Sequence, residues 1–134
     1  MSTVKTFLKS NNLKVTPQRL KLISIIEEKG HVSIDELYSL IKNEFENISL
    51  ATIYKNLNLM IEKGCIQEVK IDCHKSIYEI SKKEHNHLIC NNCFSITDIS
   101  IPKSNLDLSN IDINFNIQQI KFNIYGTCSN CLEN

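Results

Sequence analysis

The spacing of apolar residues changes from a helical to a strand-like period along the chain. In the first half, apolar residues recur three and four positions apart, which is the spacing of an amphipathic helix. Leu20, Ile23 and Ile26 form such a face, and Thr16-Pro17 before it is a helix-starting pair of N-cap and first-turn residues. This pattern predicts a helix.

Two further helices are predicted downstream. Residues 33–36 (SIDE) form a capping box, in which a serine and a glutamate three positions apart satisfy the free N–H groups of a helix start. Ser49 caps the next segment, LATIYKNLNLMIEKG, which ends at Gly64. The predicted apolar face of this segment consists of Leu50, Ile53, Leu57, Met60 and Ile61. Its predicted polar face carries Thr52, Lys55 and Asn56.

After this third helix the apolar period falls to two. The runs CIQEVKI and SIYEI both alternate, and DCHK between them is typical of a turn, so the pattern predicts a β-hairpin. Cys65 is assigned to its first strand and Cys73 to its turn. Three short helices closed by a hairpin follow the order of a winged helix-turn-helix, a DNA-binding fold.

The second half of the chain follows a polar break, SKKEHN, at 81–86. Strand-like runs come after it (HLIC, ITDISI and IQQIKFNIYG), while 102–114 is weakly patterned and has room for one short helix. We therefore predict an α+β chain with a winged-helix DNA-binding domain at 1–80, a hinge at 81–86 and a second domain at 87–134. A domain of about 50 residues needs a metal, a partner copy or both to be stable.

Composition and charge narrow the functional classes. The chain of 134 residues is 42% hydrophobic, which suffices for a globular core. It has no apolar run of membrane-spanning length and no signal-peptide core, so we expect a cytoplasmic protein without a membrane partner. The net charge is zero, yet residues 1–26 contain basic side chains and no acidic ones, which predicts a local positive field. These basic residues are Lys5, Lys9, Lys14, Arg19 and Lys21.

Two C-x-x-C pairs point to a metal site. Cys90 and Cys93 form the first pair and Cys128 and Cys131 the second, with 34 residues between the pairs. A tight turn inside each pair directs both thiolates at one ion, which is the ligand arrangement of structural zinc sites. The alternative is a set of free or redox-active thiols. A thioredoxin-like use is disfavoured because neither pair starts a helix in a βαβ unit.

Histidines and carboxylates outside the cysteine pairs suggest a second metal site. His85 and His87 are two positions apart, so in a strand both imidazoles face the same side. His31, Glu79 and Asp98 are further candidate ligands, and a mixed imidazole and carboxylate set suits Fe(II), Mn(II) or Zn(II). Taken singly, each of these three has a simpler interpretation as a loop residue or a solvated charge.

Four segments together resemble the ferric uptake regulator (Fur) family of bacterial metal-responsive repressors. They are LKVTPQR (13–19), ISLATIYKNLN (48–58), HNHLICNNC (85–93) and YGTCSNC (125–131), in the family's order and over essentially the whole chain. The resemblance implies an N-terminal winged helix, a small C-terminal α/β dimerisation domain and a homodimer that represses transcription when metal is bound. It implies no enzymatic activity.

The resemblance also implies roles for individual residues. The structural zinc ligands would be Cys90, Cys93, Cys128 and Cys131. The regulatory Fe²⁺ or Mn²⁺ ligands would be His31, Glu79, His85, His87 and Asp98. The DNA-binding residues would be Lys14, Arg19, Thr52, Tyr54 and Lys55. Of these, Tyr54 and Lys55 would face base edges and phosphates of double-stranded DNA and Lys14 the minor groove, which suits an AT-rich palindromic operator. The alternative for Tyr54 is a half-buried core aromatic.

Within the family, the peroxide-stress regulator (PerR) branch is the nearest match. Asp98 and the segment YKNL resemble that branch, whereas Glu79 is more typical of iron-uptake regulators. In a peroxide sensor, bound Fe(II) would lead to oxidation of His31 or His85 and to release of DNA. Iron-uptake regulation and zinc or manganese sensing are the alternatives inside the family. Phe94 departs from the family pattern, which usually has glycine after the second cysteine.

Two other functional classes are disfavoured or secondary. An enzyme is disfavoured because the chain lacks the H-x-E motif of zinc deaminases, a glycine-rich phosphate loop and a nucleophile elbow. A zinc-stabilised protein-interaction module is the remaining alternative, and it predicts no salt-dependent binding to duplex DNA.

Overall fold

The structure is a computed structural model that describes residues 2–72, 74–82, 85–102, 105–108, 111–112 and 114–133, with the backbone alone for residues 2 and 3. The chain divides into two compact units, Met1–Ser81 and Lys82–Asn134. The first unit combines helices with a small sheet and the second is mainly sheet, so the predicted α+β class is confirmed.

The first unit contains four helices and a three-stranded sheet in the part of the chain that is described. The elements are α1 Ser2–Ser10, α2 Pro17–Lys29, β1 Val32–Ser33, α3 Ile34–Ile41, α4 Leu50–Glu62, β2 Ile66–Val69 and β3 Ile77–Ile80. The strand order is β1-β3-β2 with both pairings antiparallel. This is the predicted helix order closed by the predicted hairpin, with α1 and β1 as unpredicted additions.

The three predicted helices begin where their capping side chains bind the backbone. Thr16 Oγ1 accepts from the N–H of Arg19, and Ser33 Oγ accepts from the N–H of Glu36 at 3.2 Å. Ser49 Oγ caps α4 in the same way, at 3.1 Å from the amide nitrogen three positions on. Each cap satisfies a donor that would otherwise have no helical partner, which explains why these starts were readable from the sequence.

The core of the first unit is made of aliphatic side chains from all four helices. Leu8, Leu22, Leu37 and Leu57 are among the fully buried residues. Val32 on β1 is also fully buried, so the sheet closes one side of the helical core. Burial of each such side chain contributes on the order of 2 kcal/mol, so the first unit has a substantial core.

Two predictions for the faces of α4 were wrong. Leu50 was assigned to the buried face and is 41% exposed, while Asn56 was assigned to the solvent face and is only 9% exposed. Asn56 is buried because its amide is hydrogen-bonded on both sides: Oδ1 accepts from Arg19 Nε and Nδ2 donates to the carbonyl of Thr52. A buried amide with both groups satisfied carries little penalty.

The hairpin pairs β2 with β3 from Ile66↔Ile80 to Val69↔Ile77. Cys65 is fully buried but lies just before β2 rather than in it. The turn assignment of Cys73 lies outside the described residues.

The second unit is built on a three-stranded sheet. Its elements are β4 Asn86–Cys90, β5 Ile96–Ile99, β6 Asn123–Gly126 and α5 Ser129–Leu132. In the order β5-β4-β6, β4 is antiparallel to β5 and parallel to β6. The strand predicted over 117–126 is confirmed only for its last four residues, because β4 offers a partner only from His87↔Asn123 onward. No described residue of 102–114 lies in an α-helix.

The second unit has a much smaller core than the first. Among its described residues, the apolar side chains classed as buried are Ile89 and Cys90. A unit with so little buried apolar surface needs another source of stability. No helix in the described part of the chain has the length and apolarity needed to cross a membrane.

Candidate metal centres and the predicted reading helix

The four predicted zinc ligands meet at one end of the second sheet. Cys90 is the last residue of β4 and pairs with Gly126 of the parallel strand β6. The N–H of Asn91 donates to the carbonyl of Gly126 at 2.8 Å, which extends this pairing into the turn. The second C-x-x-C pair follows directly, since Cys128 is the N-cap of α5. Pairing of β4 with β6 thus brings together two C-x-x-C pairs that are distant in sequence.

The sulfur positions suit a single tetrahedral ion. The Sγ atoms of Cys90 and Cys131 are 3.7 Å apart, as are those of Cys93 and Cys128, and all four lie within 4.8 Å of one another. A tetrahedron with metal–sulfur bonds of about 2.3 Å has edges of about 3.8 Å. The two separations of 3.7 Å match that edge, so the chain holds a four-cysteine group of a suitable size for a metal ion.

The electrostatics of the group favour a bound cation. The N–H groups of Cys128 and Asn92 donate to Cys90 Sγ, and with the neighbouring Cys93 they lower the pKa of the Cys90 thiol to about 6. A hydrogen bond from Asn92 also favours the Cys131 thiolate, but the adjacent cysteine sulfurs and burial outweigh it and raise the pKa of Cys131 to about 11. Ionisation of one cysteine therefore disfavours ionisation of the next, because two thiolates repel each other. A divalent cation bound between them would offset this repulsion.

Phe94 has a left-handed backbone in the turn beside this group. Its φ is 61°, in the region that glycine adopts without steric cost. Its N–H donates to the carbonyl of Cys90 at 2.9 Å, so the turn closes in spite of the side chain. The residue that departs from the family glycine therefore adopts a backbone conformation that favours glycine.

The first unit places two candidate ligands of the regulatory site side by side. His31 precedes β1 and Glu79 lies in β3, and their side chains meet because the adjacent pair Val32↔Tyr78 is in register. His31 Nε2 is 2.9 Å from Glu79 Oε2. Glu79 is 0% exposed, and its other oxygen accepts from Gln67 Nε2 at 2.5 Å. A buried carboxylate needs such partners, because an isolated buried charge is very costly.

The second unit places the other three candidates together. His87 on β4 pairs directly with Asp98 on β5, so their side chains share a face of the sheet. The Nε2 atoms of His85 and His87 are each 3.6 Å from Asp98 Oδ1, and the two rings are 4.7 Å apart. Lys82 also forms an ion pair with Asp98. This unit therefore contributes two imidazoles and a carboxylate at one place.

Two partners of these ligands were missed in the sequence. Gln67 is opposite Glu79 in the β2–β3 register. Pairing the two alternating runs of the predicted hairpin would therefore have identified Gln67 as a neighbour of Glu79. Lys82 lies in the polar segment after the hairpin, and nothing in the sequence pattern connects it with Asp98. Both hold carboxylates in place, a task that is needed around metal-binding sites.

The exposed face of α4 carries two of the predicted DNA-contacting residues. Tyr54 is 38% exposed and Lys55 is also exposed, so more than a third of Tyr54 is accessible at the helix surface. Thr52 is half-buried, and its Oγ1 lies 2.8 Å from Ser49 Oγ at the start of the helix. Thr52 therefore takes part in the N-terminal cap of α4.

Arg19 connects the segment before α2 to α4. Its Nε donates to Asn56 Oδ1 and its Nη1 donates to the carbonyl of Lys14, both at 3.0 Å. Lys14 itself is exposed. The arginine thus holds the backbone of one predicted DNA-contacting residue at a fixed place relative to the helix that carries the others.

Comparison with known proteins agrees with the resemblance seen in the motifs. The profile of the Ferric uptake regulator family matches residues 10–125. The peroxide-responsive repressor PerR of Staphylococcus saprophyticus is 33% identical over 133 residues, which cover 96% of this chain and 88% of that protein. PerR of Staphylococcus aureus (strain Mu50) is 31% identical over 129 residues, which cover 94% of this chain and 87% of that one.

Solved structures give the same result for the fold. The Vibrio cholerae ferric uptake regulator (Fur), whose DNA-binding domains are described as rearranged, superimposes with a TM-score of 0.73 at 31% identity, covering 90% of this chain and 96% of that one. The Campylobacter jejuni peroxide stress regulator gives a TM-score of 0.69 at 32% identity, covering 97% of both chains. The fold predicted for a DNA-binding domain followed by a dimerisation domain is therefore confirmed.

Proposed function

The chain belongs to the ferric uptake regulator family, and on that premise we propose that it is a peroxide-responsive repressor that binds DNA when a divalent metal ion fills its regulatory site. Members of this family are metal-responsive transcriptional regulators that bind DNA as dimers, not enzymes. The observation that carries the proposal is the presence of imidazole and carboxylate groups in addition to, and chemically distinct from, a complete four-cysteine group.

We assign the four-cysteine group to structural Zn²⁺. All-thiolate tetrahedral sets are typical of closed zinc sites, and the sulfur separations of 3.7 Å support this assignment. The ion would supply stability to a unit that has little apolar core of its own.

We assign the regulatory ion, Fe²⁺ or Mn²⁺, to five side chains. They are His31, Glu79, His85, His87 and Asp98. Nitrogen and oxygen donors suit these ions better than thiolates do. A ligand set drawn from both units would couple metal binding to their arrangement, and hence to the placement of the two reading helices of a homodimer on successive major grooves.

The proposed DNA interface consists of α4 and the segment before α2. Tyr54 and Lys55 would contact bases and phosphates, and Lys14 would enter the minor groove of an AT-rich palindromic operator. Arg19 and Thr52, which the resemblance placed among the DNA contacts, would act by holding these elements in position, because their polar atoms are already bound within the protein. The homodimer would act in the cytoplasm.

Peroxide sensing would reside in the histidines of the regulatory set. An Fe(II) ion held by these residues would activate hydrogen peroxide. Overall, one peroxide oxygen would be added to a ligand imidazole and the other would leave as water, so the histidine is oxidised by two electrons and the peroxide is reduced. The family resemblance makes His31 and His85 the candidate targets. The His31 side chain is 17% exposed and the His85 side chain 9%. Loss of one imidazole ligand would weaken the site and release the repressor from DNA.

Iron-uptake regulation is the second candidate function. The observation that favours it is Glu79, which is longer by one methylene than the aspartate that peroxide sensors often have there. A longer carboxylate places its oxygens differently and alters which ion and which reaction the site supports.

The test is anaerobic loading with Fe(II), a brief pulse of hydrogen peroxide and peptide mass analysis. A one-oxygen gain on peptides containing His31 or His85, accompanied by loss of DNA binding, supports the peroxide sensor. Mn(II)-loaded protein is the matched control and should stay unmodified. If the histidines remain intact in the Fe(II) form while added Fe(II) alone switches DNA binding on, the iron-uptake function replaces the proposal.

A further inference from the structure

Leu50 and Tyr54 stand out among the residues that the structure describes in the first unit. They are the large apolar side chains there that are more than a third exposed, at 41% and 38%. On the same helix, Leu57 and Met60 are fully buried and Leu59 is partly buried. Single exposed apolar residues are common at protein surfaces, so what matters for these two is whether they adjoin each other.

The two exposed side chains lie on one face of one helix. Leu50 is the first residue of α4 and Tyr54 comes four positions later, so the two are neighbours on the helix surface, with their Cβ atoms about 6 Å apart. The exposed residues Ala51 and Lys55 adjoin them on the same side. The result is a small apolar stripe at the N-terminal end of α4, bordered by one positive charge.

The start of the helix fixes the backbone at Leu50. Ser49 caps α4 with its hydroxyl on the N–H of Thr52, which fixes the backbone conformation of the first turn. Leu50 is therefore presented outward by a rigid backbone. Recognition helices contact base edges chiefly through their N-terminal residues, and this is where Leu50 lies.

We infer that Leu50 is a specificity-determining residue that reads the C5-methyl group of a thymine in the major groove. This inference rests on the proposed DNA-binding function. The major groove displays a thymine methyl as its apolar feature, and apolar side chains contact it. Successive bases of one strand rise by about 3.4 Å, so two side chains about 6 Å apart match methyl groups two steps apart. Leu50 and Tyr54 would thus read different thymines.

The experiment compares thymine with deoxyuridine, which lacks only the methyl group. A duplex is first selected from a randomised library with the Mn(II)-loaded full-length protein, and each thymine is then replaced singly. Binding is measured for the wild type, Leu50→Ala, Leu50→Met and Tyr54→Ala. Removing one buried methyl contact should weaken wild-type binding about fourfold. At one thymine this penalty should vanish in Leu50→Ala and persist in Leu50→Met and Tyr54→Ala.

The readouts separate this role from a structural one. Because Leu50 is 41% exposed and not part of the fully buried core, Leu50→Ala should lower the thermal midpoint by no more than a few degrees. The inference is overturned if every thymine penalty is the same in Leu50→Ala as in the wild type while the duplex is still bound. Failure of the wild type to select or bind any duplex would overturn the proposed function itself, and the inference with it.

Discussion

Removal of the metal from the four-cysteine group should unfold the second unit and leave the first one folded. The perturbation is Cys128→Ser, or treatment of the wild type with a strong zinc chelator. Cys128 contributes one sulfur to the tetrahedron, 3.7 Å from Cys93 Sγ, and its N–H also donates to Cys90 Sγ. Loss of this residue therefore removes a ligand and a hydrogen bond that connect the two C-x-x-C pairs.

The magnitude follows from how little else holds the second unit. Apart from the ligand Cys90, Ile89 is its one described apolar side chain classed as buried. Burial of that side chain is worth about 2 to 3 kcal/mol, whereas a structural zinc site contributes on the order of 10 kcal/mol. The metal would thus stabilise the unit several times more than the buried side chain does, by an amount comparable to the total stability of a small domain.

The assay combines metal release with amide hydrogen exchange. A chromogenic chelator should report one zinc per chain in the wild type and in Cys65→Ala, the matched control whose cysteine lies in the first unit. In Cys128→Ser the amides of β4 and β6 should lose protection while those of α2 and α4 keep it. Dimerisation should be lost as well. Protection of β4 that is unchanged after complete zinc release would refute the reasoning.

Three further predictions concern single positions. Phe94→Gly should raise stability by about 0.5 to 1 kcal/mol, because it relieves the left-handed strain at φ 61°, and Phe94→Ala in the same denaturant titration should bring no such gain. Burial raises the pKa of Tyr78 to about 12. The stability that the neutral Tyr78 side chain contributes is therefore fully present below pH 10 and is lost as the pH rises towards 12. Tyr78→Phe should flatten the loss of stability over that window, and an equal slope in both proteins contradicts the assignment. Arg19→Lys keeps the charge but cannot bridge Lys14 and Asn56, so DNA binding should weaken about tenfold at an unchanged salt slope. A slope reduced by about 1.8 in Arg19→Gln, about 0.9 for each protomer of the dimer, would instead make Arg19 a phosphate contact.

The elements that the sequence predicted well are those specified by local chemistry. The starts of α2, α3 and α4 depend on Thr16, Ser33 and Ser49, whose hydroxyls act on amides three positions away. Because a cap depends only on residues three positions apart, it can be recognised from the sequence alone. The helix α1 carries no described side-chain cap and few apolar residues, so its amphipathic pattern was too short to recognise.

The errors arose where tertiary contacts override residue type. Asn56 is polar but buried because Arg19 supplies a partner 37 residues away, and Leu50 is apolar but exposed because it faces away from the core. The extent of β6 is limited by the length of β4, which the alternation in 117–126 cannot reveal. Each outcome depends on a distant part of the chain.

The candidate metal ligands were predictable in identity and less so in geometry. Each C-x-x-C pair is a local unit, but the meeting of the two pairs requires the parallel pairing of β4 with β6. The contact between His31 and Glu79 likewise requires the β1–β3 register. The residues that support these ligands, such as Gln67, could be found only once the register was known.

The central claim is that metal at the histidine and carboxylate set controls DNA binding. The most direct measurement is fluorescence anisotropy of the selected duplex, titrated with protein in the presence and absence of Mn(II). Mn(II) should tighten binding of the wild type and of His74→Ala, an exposed histidine outside the set, by about 100-fold. His87→Ala should bind equally weakly in both conditions. Wild-type affinity that does not depend on Mn(II), or a His87→Ala protein that still responds to it fully, would contradict the account.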